Sequence, residues 1–143
     1  MGLADDCAAR LAARWDDLQP WDDAREFVSE AKRRFRIGVV TNCSEALGRR
    51  AAQRVGVPFD VVVTSERAGY YKPHPAPYRM ALAELGLPAE RVLFVAGSGF
   101  DLIGTAGVGL PALWHNRAGI APPAGAPQPL AERRTLRELA SFL

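Results

Sequence analysis

Apolar positions recur along the chain with two different periods, and the alternation between them outlines a fold. At the N-terminus Leu3, Cys7, Leu11 and Trp15 stand four apart with charges between them, which predicts one face of a helix over residues 3–18 that ends near Gln19-Pro20. Asp22 and Asp23 then precede AREFVSEAKRRF, where Phe27, Ala31 and Phe35 share a face. Lys32, Arg33 and Arg34 gather at the end of that stretch, where the helix dipole favours cations, so a second helix should close by about Phe35. The run Ile37 to Val40 is apolar, flanked by charge before it and by Thr41-Asn42 after it, as in a buried parallel strand. Ser44 is placed to cap a helix from Glu45 to Val55, closed by Gly56. Phe59 to Val63 repeats the strand signal. A polar, Pro-rich loop from Thr64 to about Pro77 leads into a helix from about Ala76 to Leu85, which Gly86 stops. Arg91 to Ala96 is the most apolar strand; Gly97-Ser98-Gly99, a helix from about Phe100 to Val108 and a short strand from Pro111 to Trp114 follow it. Strand and helix thus alternate four times, the pattern of an α/β domain with a parallel sheet and right-handed crossovers. Residues 118–130, AGIAPPAGAPQPL, are too rich in Ala, Pro and Gly for a regular element and should wrap the surface. Thr135 is the cap of a last helix with Leu136, Leu139 and Phe142 on its apolar face.

Composition narrows the class. With 143 residues, 48% of them apolar, the chain fits one compact domain. Its 18 Lys+Arg and 16 Asp+Glu are interspersed and leave a net charge of +2, so there is no basic stripe for nucleic acid. No apolar run approaches the roughly 20 residues that span a bilayer, and MGLADDCAAR lacks a signal core. A soluble, cytoplasmic protein without membrane contact is expected. Cys7 and Cys43 lie far apart and should be free thiols; with His74 and His115 they show no paired spacing for zinc, and no metal or cofactor is expected.

In an open parallel sheet, ligands bind beyond the C-terminal ends of the strands. Three polar segments fall there: Thr41-Asn42-Cys43-Ser44, the loop with Tyr70, Tyr71, Lys72 and His74, and Gly97-Ser98-Gly99-Phe100-Asp101. The glycine pair is not a dinucleotide fingerprint, because Leu102 stands where the third small residue would be. Gly97, Ser98 and Gly99 instead allow backbone N–H groups to approach an anion at a helix start, or simply make a tight turn capped by Asp101. Thr41 and Asn42 can donate hydrogen bonds to an oxyanion, and Lys72 can add a compact positive charge. Cys43 is either a nucleophile whose thiolate the following helix stabilises or a small buried apolar side chain. His74, held between Pro73 and Pro75, either shuttles protons or sits on the surface; His115 should make a structural hydrogen bond. Trp15, Trp21 and Trp114 are expected in the core.

From about Trp21 onward the sequence resembles the haloacid dehalogenase-like hydrolase superfamily. RIGVVTNCSE resembles the second motif of that family with Thr41, YYKPHPAPYRMAL the third with Lys72, and VLFVAGSGFDLIGTAGVGLPALWHNR the fourth with Asp101. The Tyr-Lys-Pro run, Gly-Phe-Asp and Trp-His-Asn-Arg are most similar to the L-2-haloacid dehalogenase branch. The resemblance implies a Rossmann-like core over residues 21–143, with residues 1–20 a remnant of the helical cap. It also implies that Ala96 replaces the extra acidic ligand of the magnesium phosphatases, which points to a metal-independent pocket. No Asp-x-Asp-x-Thr motif precedes Thr41. The chain therefore reads as N-terminally truncated, without the family's nucleophile and without its first, central strand, which lies between the strands at 37–41 and 92–96. The two edges facing that position would close on one another or drive association. The expected outcome is a homodimer in which the N-terminal helix covers apolar surface of the partner. The implied function is weak hydrolysis of activated phosphoesters, esters or 2-haloacids, with Thr41, Asn42 and Lys72 stabilising charge and either water, activated by Asp101 or His74, or the Cys43 thiolate attacking. The alternative is a folded remnant that binds small anions without turnover, or a fragment that needs a partner chain.

Overall fold

The computed structural model describes residues 5–143, so Leu3 lies outside the described residues. The first helix, α1 (Asp5–Ala13), ends earlier than the periodicity implies, and a single 3-10 turn over Trp15–Asp17 follows it. Its expected face is not covered by any described residue: Cys7 is exposed and Leu11 is 67% exposed. The N-terminal segment is tied down at Trp15, whose indole N–H donates to the Leu47 carbonyl at 3.0 Å.

α2 (Ala24–Arg34) buries Ala24, Phe27 and Ala31, the face the spacing predicts. β1 (Gly38–Thr41) leads to α3 (Glu45–Arg54), whose Leu47 N–H is accepted by the Ser44 side chain. β2 (Val61–Thr64) runs straight into α4 (Ser65–Ala68), a one-turn helix within the segment expected to be loop. Thr64 caps it through the Arg67 N–H and Gly69, at φ +73°, ends it. α5 (Pro75–Leu85) stops at Gly86 as expected. β3 is confined to Phe94–Ala96, because Ala89–Arg91 form a 3-10 turn after Pro88. α6 (Gly99–Ala106) and β4 (Ala112–His115) complete the alternation. A further strand, β5 (Ala131–Arg133), closes the Pro-rich stretch, and α7 (Leu136–Leu139) carries a full capping box between Thr135 and Glu138.

All strand pairs are parallel, but they form two sheets, β1-β2 and β3-β4-β5. Among the described residues no ladder joins β1 to β3, so the two facing edges do not close on each other. The apolar side chains of these strands reflect this: Val39, Val40, Phe94 and Val95 are only half-buried, whereas Val61 and Val63 of β2 are buried. The core is accordingly divided into three clusters. One joins Ala24, Phe27, Leu113, Leu136 and Leu139; a second, Val61, Val63, Ala81 and Leu85; a third, Ala96, Leu102, Ala112 and Trp114.

Helix α5 is the strap between the half-sheets, for it packs on β1, β2 and α6. Its fully buried Tyr78 places its ring edge-on to Phe94 of β3, with centroids 5.4 Å apart. Asp23 ties the two ends of the chain together. It sits at the start of α2 but leaves that helix uncapped, and its Oδ2 accepts the Leu136 N–H of α7 at 2.8 Å. Asp23→Ala removes a helix cap supplied from 113 residues away. A loss of about 1 kcal/mol in urea unfolding is expected.

Candidate active site

The polar segments that follow β1 and β3 meet through Lys72. Asn42, directly after β1, uses both ends of its amide on the Lys72 backbone: Oδ1 accepts the Lys72 N–H at 2.7 Å and Nδ2 donates to its carbonyl at 3.2 Å. That clamp fixes the loop before α5. The Lys72 ammonium then reaches Asp101 of α6, at 3.0 Å from Oδ1 and 3.2 Å from Oδ2, and lies 5.9 Å from the centre of the Phe94 ring. The pair is largely removed from water, with side chains 16% and 5% exposed. Tyr78 donates its hydroxyl to Asp101 Oδ1 at 2.8 Å. Burial, then the Asp101 charge and the hydrogen bond to it, push the Tyr78 phenol far above its ordinary value, so it remains a donor.

The other candidates make contacts of their own. Thr41 Oγ1 donates to Cys43 Sγ at 3.3 Å. Ser98 caps α6 through the Phe100 N–H at 3.3 Å, which leaves the Asp101 carboxylate to Lys72 and Tyr78 rather than to the turn. Gly97 is open to solvent, whereas a Cβ at Gly99 would lie 2.7 Å from Pro123 and 3.2 Å from Trp114. His74 caps α5, its Nδ1 accepting the Ala76 N–H at 3.2 Å, and stacks on Tyr70 with centroids 3.9 Å apart. Beside Cys43, a cavity of about 370 Å³ opens between the starts of α3 and α4 and the Gly69–Tyr71 turn.

A family model described as haloacid dehalogenase-like hydrolase matches residues 4–109. The chain belongs to this family. It is 28% identical over 117 residues to haloacetate dehalogenase H-2 of Moraxella sp. (strain B), a match covering 80% of this chain and 52% of that protein. It is 31% identical over 107 residues to an (S)-2-haloacid dehalogenase of Pseudomonas sp. (strain YL), covering 71% and 45%. A crystal structure of an L-2-haloacid dehalogenase superposes with TM-score 0.86 and 26% identity over 99% of this chain and 64% of that one. A haloacid dehalogenase-type phosphatase from Thermococcus onnurineus gives TM-score 0.78 and 27% identity, over 92% and 61%. The chain thus spans about half the length of the first curated relatives it matches.

A divalent cation does not fit these residues: Asp101 is already engaged by an ammonium and a phenol, Ala96 at the end of β3 offers no side-chain ligand, and no three His, Cys, Asp or Glu side chains converge among the described residues.

One feature near the end of β4 departs from expectation. Trp114 is buried, but Trp21 is 56% exposed and carries the Arg117 guanidinium 4.2 Å from its ring centre. His115 is 7% exposed, and its Nε2 has no hydrogen-bond partner in the structure; Asp23 Oδ1 is in the same condition, with Arg117 3.6 Å away. Burial pushes the His115 pKa below the ordinary 6.5, opposed by the Asp23 charge and a backbone hydrogen bond with Arg134 and reinforced by Arg117. The folded state therefore binds this proton less readily than the unfolded chain. Stability is complete above about pH 6.5 and is lost as pH falls through and below that value. Thermal unfolding between pH 8 and pH 5 should show this decline, and His115→Gln should flatten it.

The third-motif tyrosine, Tyr78, was not among the residues singled out from the sequence. The available signal is that Tyr78, Ala81 and Leu85 lie on one face of α5; a tyrosine on a core-facing stripe needs a buried acceptor for its hydroxyl, and Asp101 is that acceptor.

Proposed function

We propose that the chain is a hydrolase of small activated anions and esters, with Lys72 as its electrostatic centre, acting weakly on phosphoesters, carboxyl esters or 2-haloacids. The observation that supports it is the Asn42–Lys72–Asp101–Tyr78 linkage at the strand ends. In this reading Asn42 and Asp101 are positioning residues, one holding the Lys72 backbone and the other its ammonium. Lys72 faces the charge that develops on the substrate, aided by Thr41 and by the backbone of Gly97, Ser98 and Gly99. Attack comes from water, with His74 as the base, or, on carboxyl and phosphate esters, from the Cys43 sulfur, to which the Thr41 hydroxyl donates at 3.3 Å, water then cleaving the acyl or phosphoryl thiol intermediate; a 2-haloacid is displaced by water alone, because a thioether would not turn over. The test is turnover of a panel of aryl phosphate mono-, di- and triesters, carboxyl esters and 2-haloacids, with and without chelator, beside Cys43→Ala. Chelator-insensitive turnover supports the reading, and loss of ester or phosphoester turnover in Cys43→Ala assigns the nucleophile for those substrates to the thiol.

A second reading is favoured by the unpaired edges of β1 and β3 and by the neutralisation of Lys72 by Asp101: a folded unit that binds anions without turnover, or one completed by a partner chain. Complete absence of turnover across the panel selects it. In either reading we expect a cytoplasmic homodimer, with the exposed Leu11 face of α1 against the second copy; light scattering that gives the mass of a monomer at micromolar concentration removes that expectation.

A further inference from the structure

We propose that the cavity beside Cys43 is a binding site for an organic ammonium ion, distinct in polarity from the Lys72 site. Its volume, about 370 Å³, is that of a small-ligand pocket. Its walls carry one carboxylate and two phenol rings: Glu66, Tyr70 and Tyr71. The other polar groups there are spoken for, since the Ser65 hydroxyl donates to the Cys43 carbonyl at 3.0 Å and the Ser44 hydroxyl accepts the Leu47 N–H at 3.4 Å.

Glu66 differs from the carboxylates around it. Glu45 is paired with Arg49 and takes the Thr64 hydroxyl, and Glu84 is paired with Arg67. Glu66 accepts only the Glu45 backbone N–H, and no cationic side chain pairs with it among the described residues. Its side chain lines the cavity and is exposed. The aromatic walls are set in place by the left-handed Gly69, φ +73°, which turns the chain out of α4, and by the stacking of Tyr70 on His74 at 10° between planes. Tyr70 and Tyr71 are 54% and 70% exposed; His74 covers one face of Tyr70, which leaves its other face and the Tyr71 ring open. A carboxylate with adjacent phenol faces attracts a cation twice, by a charge-assisted hydrogen bond and by the ring quadrupole. An alkyl or arylalkyl ammonium satisfies both and fills the remaining volume with its apolar part.

The probe is 2-phenylethylammonium at pH 7, with 2-phenylethanol as its neutral counterpart, followed by amide chemical shifts. Saturable shifts at Ser65, Gly69 and Tyr70 are expected for the ammonium alone, weakening with added salt. Glu66→Gln keeps an acceptor for the Glu45 N–H, so folding, checked by circular dichroism, is retained while affinity drops about fivefold. Tyr71→Ala should give a loss of about two- to fivefold. Equal binding of the alcohol, an unchanged affinity in Glu66→Gln, or no saturable shift up to the solubility of the probe each overturns the proposal. None of these readouts depends on turnover, so the hydrolase reading stands or falls separately.

Discussion

Gly104→Ala is expected to destabilise the protein by about 3 kcal/mol, a cost typical of forcing extra atoms into a packed core. A Cβ at this position would lie 2.5 Å from the Tyr78 hydroxyl and 2.7 Å from its Cζ, closer than real Cβ contacts. The ring cannot retreat: Tyr78 is 0% exposed, rests on Phe94 and is anchored by its hydroxyl to Asp101. The close approach of α6 to α5 at Gly104 is what lets one tyrosine join the two half-sheets. In a domain of this size, the loss corresponds to a fall in Tm of about 10 °C by circular dichroism. Gly104→Ala combined with Tyr78→Leu should recover part of it, since the hydroxyl and the colliding ring edge are gone. A Tm within about 2 °C of the parent in the single variant would mean that α5 and α6 separate freely, and the strap role of α5 would be abandoned.

Lys72→Met and Asp101→Asn should diverge, although each breaks the same ion pair. In Lys72→Met the Asp101 carboxylate, 5% exposed, keeps only the Tyr78 hydroxyl, and a loss of about 3 kcal/mol follows, at the low end for breaking a buried pair because Lys72 itself is 16% exposed. In Asp101→Asn the amide oxygen still accepts from Tyr78 and no unpaired buried anion is created, so the loss is smaller, about 1 kcal/mol. The freed ammonium of Asp101→Asn should bind inorganic phosphate more tightly than the parent, while turnover falls because Lys72 is no longer held in one position. Urea unfolding and phosphate titration of the two variants, side by side, check the pair. Equal destabilisation with unchanged phosphate affinity would remove Asp101 as the group that positions Lys72.

The elements that the sequence made legible are those whose signals are local. The run from Ile37 to Val40 reappears as β1, Ser44 and Thr135 cap as expected, and Gly86 ends α5 in the left-handed conformation. Of the residues singled out along the chain, Lys72 and Asp101 are in direct contact, whereas the hydroxyl of Thr41 goes to Cys43. What escaped notice depends on neighbours. β5 is Ala-Glu-Arg, with no apolar pattern of its own; it exists because the edge of β4 offers unpaired backbone groups. Trp21 lies outside with Arg117 over its ring, a pairing between residues almost a hundred positions apart. The roles of Asn42 and Asp101 within the cluster were equally hidden, since which partner uses a hydrogen-bonding group is decided only when the loops converge.

If Lys72, held by Asn42 and Asp101, stabilises charge in a hydrolytic reaction, kcat/KM for the best substrate of the panel must fall when its ammonium is removed, as measured in the parent and in Lys72→Met well below the Tm of the variant with chelator present. Measurable turnover in the parent and a loss of about 10²-fold in Lys72→Met are expected, the scale of removing one preorganised charge-stabilising group. Turnover that is the same in both proteins, or absent from the parent on every substrate, would remove Lys72 from that role.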